Sequence, residues 1–158
     1  MSSGTQQFPP SRRSAARRGA VQALYQMDLA GSDVGETLAQ FSARAMGENF
    51  EDGQCGEADY RHLREVVDGV VREQKAIDPV VDQILDKAWP LHRLDSTVRA
   101  ILRAGAYELM FMDKVPARVA ISEYVDVADA FFGAEEPRFV NGVLNTLARM
   151  KRPAEFPA

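Results

Sequence analysis

The residues best suited to binding chemistry lie near the N-terminus. Arg12, Arg13, Arg17 and Arg18 crowd into about two helical turns, and Gln22 and Tyr25 follow at helical spacing. Guanidinium groups hold phosphate oxygens, and a tyrosine ring stacks on a base. Arg18, Gln22 and Tyr25 share one strip, with Arg17 at its border and Arg12 and Arg13 at or before the helix start. That combination fits an unpaired nucleic-acid strand. The same residues also fit a solvated helix start, although arginines there oppose the helix dipole, which favours a binding role. A second polar cluster is the turn ahead of the last helix, from Gly133 through Glu136 and Arg138 to Phe139. By period Phe139 belongs to the core stripe, at its end. A third set, Arg99, Arg103 and Tyr107, recurs every fourth residue and reads as a solvated face or, failing that, a protein-partner surface.

Catalytic constellations are missing. His62 and His92 each stand beside an arginine without a companion at ligand spacing, and both read as surface residues. Cys55 lies in a loop of glycines and acids with no second Cys or His at ligand spacing. There is no phosphate-binding loop, dinucleotide fingerprint or HExxH. The carboxylates fall on predicted solvent faces rather than in apolar settings that would tune them. No enzyme activity, metal or cofactor is expected.

The elements that position these residues are helical throughout. Residues 1–10 read as a disordered lead ending in Pro9-Pro10. The first helix is predicted from about Ser14 to Leu29, with Ala16, Ala20, Ala23, Leu24 and Met27 inward. The second runs from Glu36 to Met46, with Leu38, Phe41 and Ala45 inward. The third runs from Glu57 to Lys75; Val66, Val67, Val70 and Val71 have strand composition but helical spacing. Asp78-Pro79 reads as a cap and first turn opening a fourth helix to Trp89. A fifth spans Asp95-Ser96 to Met112, where Gly105 implies a close crossing. A sixth spans Ala117 to Phe132, with Phe131 inward. In the last, Val140, Val143, Leu144, Leu147 and Met150 face in, and Gly133 before it suits a left-handed helix end. The prediction is an all-α fold of about seven helices, a single domain over 11–158 with small packed helical subdomains at about 11–89 and 90–152.

The totals agree. The chain has 158 residues, 46% of them hydrophobic and 27% charged, the balance of a globular protein. No apolar run spans a membrane, no secretory signal opens the chain, and one cysteine suits a reducing compartment, so a cytoplasmic location is expected. The net charge of -4 conceals an asymmetry: residues 1–27 carry four arginines and no acid. The body is acidic, which permits a local phosphate site but opposes polyanion binding over the whole surface.

Three segments resemble the NusB transcription antitermination family. RRSAARRGAVQALYQMDLAG is similar to its arginine-rich opening helix. LDSTVRAILRAGAYELMF and VPARVAISEYVDVADAFFGAEEPRFVNGVLNTLAR resemble its C-terminal half in order and spacing. The resemblance implies an all-α fold and binding of the boxA element of nascent ribosomal RNA, as a heterodimer with the ribosomal protein NusE. That heterodimer would join an antitermination complex on RNA polymerase. It implies RNA contacts from Arg13, Arg17 and Tyr25, with Glu136 and Phe139 from the turn Gly133–Phe139. Ser14 and Ala15 stand where relatives often carry further arginines; Arg12 and Arg18 offer compensating charge. The NusE surface would lie around Val98, and a homodimer of the free chain is compatible with this reading. FVNGVL is also similar to the N-terminal domain of ribosomal RNA cytosine methyltransferases, whose catalytic domain this sequence lacks. The remaining alternative is a helical adaptor that binds proteins only.

Overall fold

A computed structural model describes residues 12–47 and 57–157, with side chains described outside 41–59. The expected lead at 1–10, the inward roles of Phe41 and Ala45, and the loop holding Cys55 fall outside the described residues or side chains. Among the described residues there are six α-helices and no strand: α1 (Arg12–Ala30), α2 (Val34–Gly47), α3 (Glu57–Ile84), α4 (Ser96–Phe111), α5 (Ala117–Phe131) and α6 (Glu135–Lys151). Short 3-10 turns occupy Leu91–Arg93 and Pro153–Glu155. No helix among these residues is long and apolar enough to cross a membrane.

Six helices stand where about seven were expected, and the difference lies at Pro79. The helix that was to end near Lys75 and restart at Asp78 runs on as α3. Proline there forfeits one backbone hydrogen bond, but Ile77 and Val81 on either side are fully buried. The helix continues across the proline with buried side chains on both sides of it. Asp78 is not a cap; it binds Arg103 of α4 instead.

α4 is the central element. Asp95 caps it as expected, accepting from the Thr97 and Val98 backbone N–H groups at 2.9 and 3.2 Å. α1, α3, α5 and α6 all pack on it, so the two halves of the chain share one core. Ile101, Leu102, Leu109, Leu144 and Leu147 are fully buried there. Each such side chain contributes roughly 1.5–3 kcal/mol of transfer free energy. Gly105 marks the expected close crossing: an added Cβ would stand 2.8 Å from Cδ1 of Leu144 on α6. A second crossing was not anticipated. At Gly69 of α3 a Cβ would meet the Tyr107 ring at 2.0 Å.

Other expectations need correction. Gly133 does not adopt a left-handed conformation; Gly31 does, with φ of 66°, and closes α1 by donating to the Met27 carbonyl. Phe131 and Met150 were placed inward but are exposed, as is Phe139 at the end of its stripe, because the apolar stripes are wider than the faces their neighbours cover. The Arg152 side chain folds back onto the end of α4. Its guanidinium donates to the carbonyls of Glu108, Leu109, Met112 and Val115, satisfying the C-terminal end of α4.

Candidate nucleic-acid interface

α1 lies against α3 and α4 through Ala16, Ala20, Val21, Ala23 and Leu24, all buried. Mostly small side chains let the helix sit close. That docking turns Arg12, Arg13, Gln22 and Tyr25 to solvent, with Arg18 half-buried. Tyr25 is 38% exposed, so its side chain is partly open to solvent. At 1.5 Å per residue, Arg13 and Tyr25 stand roughly 18 Å apart along the helix. A ligand touching both must span that distance.

Arg17 departs from this strip. It was expected at the exposed border, yet it is 2% exposed. Its Nε and Nη2 donate to the two carboxylate oxygens of Glu108, each at 2.9 Å, and Nη1 donates to Glu123 at 3.0 Å. The Arg17–Glu108 contact is therefore a bidentate fork. Glu108 also accepts from the Tyr124 hydroxyl and from His62 at 3.3 Å. It is fully buried, and both of its oxygens accept from at least one donor. Burial alone would push its carboxyl up; the bonds from His62 and Arg17, with the Arg17 charge, hold it down to about 2. Tyr124 is pushed well above its ordinary range by burial and by the adjacent Glu108 carboxylate. His62, read from sequence as a surface residue, is thus a buried partner in this cluster, whereas His92 is exposed as expected.

A second feature lies between the start of α4 and the start of α6. Leu85, Trp89, Leu94, Val98 and Phe139 line a groove of about 560 Å³ whose rim carries Asp86, Asp95, Glu135 and Glu136. It brings together Val98, expected on a protein interface, and Glu136 and Phe139, expected on the RNA. Trp89, 61% exposed, and Phe139, 40% exposed, form an open apolar wall. Arg138 and Gly133 are exposed nearby in sequence. Tyr25 does not line this groove.

The Arg99–Arg103–Tyr107 strip is not a solvated face: α1 and α3 tie it down, with Tyr107 buried and Arg99 and Arg103 only partly exposed. Arg99 bonds Asp28 of α1 and the carbonyls of His92 and Leu94. Arg103 makes a two-pronged contact with Asp78 at 3.0 and 2.9 Å. Tyr107 is buried and donates to Glu65 while accepting from Arg72.

Sequence reasoning missed Glu108, His62 and Trp89. The signal for Glu108 was a carboxylate amid an unbroken apolar stretch of α4, Gly105 to Leu109. The signal for Arg17 was its place directly beside the alanine stripe. His62 gave none, because nothing near it in sequence is its partner.

Residues 14–149 match the model of the NusB family. The chain is similar to the transcription antitermination protein NusB of Mesorhizobium japonicum, 52% identical over 142 residues, covering 90% of this chain and 92% of that protein. It is 51% identical over 146 residues to that of Rhodopseudomonas palustris strain HaA2, covering 92% of this chain and 86% of that protein. Among solved structures, T. maritima NusB superposes with a TM-score of 0.76 at 25% identity, covering 91% of this chain and 96% of that one. A crystal structure of the antitermination factors NusB and NusE with double-stranded RNA gives 0.74 at 28% identity, covering 88% and 97%.

Proposed function

The chain belongs to the NusB family, and from that premise we propose that it is a transcription antitermination factor that binds the boxA element of nascent ribosomal RNA together with the ribosomal protein NusE. The observation that carries this reading is the first turn of α1. Arg12 and Arg13 are open to solvent with no acid in that turn, and Tyr25 is open further along the same helix. The arginines hold phosphates and the tyrosine stacks on a base. NusE takes the groove around Val98, Trp89 and Phe139. An acidic rim repels a phosphate backbone and suits a basic protein surface. The two sites thus divide by charge, RNA on the arm and protein in the groove. The pair then joins the antitermination assembly on RNA polymerase.

The test is a titration of boxA RNA against the protein with and without NusE over a salt series. The expected result is weak binding alone and tighter binding with NusE. The logarithm of affinity should fall against log salt with a slope of roughly 0.7 per phosphate contact. RNA binding absent in both forms, with NusE still bound, would make the chain an adaptor for proteins only.

A further inference from the structure

We propose that Glu108 is the positioning residue of the basic arm: through Arg17, and together with the Ser14–Glu123 contact, it fixes the first turn of α1 and so sets where Arg12 and Arg13 stand. The proposal rests on the reading of α1 as the RNA surface. Three observations lead to it. First, Arg17 is committed. Three of its nitrogens are engaged by Glu108 and Glu123, and its side chain is buried. It cannot reach a phosphate without abandoning two carboxylates. Second, the anchor grips the arm at two points. Ser14 donates its hydroxyl to Glu123 at 2.9 Å, one turn before Arg17. Glu123 sits on α5 and Glu108 on α4, so the turn is held against two different helices. Third, the arm needs an anchor. Basic side chains at a helix N-terminus oppose the helix dipole. Left to itself it would fray. Glu108 is in turn held by Tyr124 of α5 and His62 of α3. The arm is thereby referenced to the core rather than to its own helix alone.

A positioning role and a phosphate-contact role for Arg17 separate in the salt dependence. A contact removed lowers the slope; an arm left mobile keeps its contacts but binds more weakly. Three variants distinguish them: Arg12→Ala/Arg13→Ala, Arg17→Met/Glu108→Gln, and Ser14→Ala/Glu123→Gln. The second removes the buried ion pair as a unit, avoiding an orphaned charge. The third leaves the Arg17–Glu108 fork in place and serves if the second does not fold. Each is titrated with boxA RNA in the presence of NusE over a salt series, and amide exchange of residues 14–20 is measured on the free protein. The expected result is a lower slope for Arg12→Ala/Arg13→Ala only. The two anchor variants keep the wild-type slope and lose affinity by roughly 5- to 30-fold, the scale of ordering one residue's backbone. They also exchange faster in the first turns of α1. A slope that falls in Arg17→Met/Glu108→Gln as it does in the arm variant would make Arg17 a phosphate contact and overturn the proposal. Unchanged exchange in both anchor variants would overturn it from the other side. If the wild type binds no RNA at any salt, the functional reading fails and the positioning role with it. In that case, faster exchange would still identify the anchor as a structural tie.

Discussion

Arg17 and Glu108 stand 91 residues apart in the chain and share a two-bond fork, both bonds 2.9 Å long, in the interior. The pair welds the arginine-rich helix to the central one. Removing one partner leaves a buried charge without its counter-ion, which costs about 3–5 kcal/mol. Glu108→Ala and Arg17→Ala should each lower the melting temperature strongly. Arg17→Met/Glu108→Gln should recover much of that loss. Chemical denaturation of the four proteins checks this.

Acid should loosen the fold through the same carboxylate. The ordinary value for Glu108 is 4.5, and in the fold it is held down to about 2. A folded value below the unfolded one means that the linked stability is complete above about pH 4.5 and disappears as pH falls toward 2. At ~1.4 kcal/mol per unit the loss is roughly 3 kcal/mol. Stability measured from pH 6 to pH 2 should show this decline. In Glu108→Gln the decline should be shallower.

The aromatic residues should separate binding from folding. Tyr25 and Phe139 are 38% and 40% exposed, so neither ring fills the core. Tyr25→Ala should weaken RNA binding by roughly 1–3 kcal/mol, the worth of a base stacked on a ring, with little change in melting temperature. Phe139→Ala should weaken NusE binding and cost less stability than the ~3–5 kcal/mol of a buried phenylalanine. Calorimetry with each partner, set beside thermal melts, decides it. A Tyr25→Ala protein that binds RNA normally would remove that ring from the surface.

The two helix crossings should respond differently to alanine. Alanine gains about 1 kcal/mol over glycine in helix propensity, but space decides the sign. At Gly105 the obstacle is the flexible tip of Leu144, at 2.8 Å. At Gly69 it is the Tyr107 ring, at 2.0 Å, and that ring is tied to Glu65 and Arg72. Gly69→Ala should therefore destabilise clearly more than Gly105→Ala, on the order of the 1–3 kcal/mol seen for overpacked cores. Equal melting temperatures for the two variants would contradict this.

By itself the sequence determined the helical class, most helix positions and the arginine–tyrosine arm. These follow from local rules: a 3.6-residue apolar period, the Asp95 cap, and the absence of acids beside the arginines. It also revealed the Gly105 crossing, because glycine inside a helix has a local cost that demands a reason. Tertiary structure decided the rest. Pro79 reads locally as a helix start, but the buried Ile77 and Val81 beside it carry α3 straight through. Arg17, Arg103 and Tyr107 read as polar faces because periodicity cannot show what covers a face; helices α3, α4 and α5 supply the carboxylates that receive them. Glu108, His62 and Tyr124 form one cluster from three helices, and no spacing within a chain encodes a meeting of residues so far apart. The groove of Trp89, Val98 and Phe139 is likewise made only when α4 and α6 are packed side by side. A side chain's local periodicity fixes the direction in which it leaves its helix, whereas its function depends on what waits in that direction, and only packing supplies that.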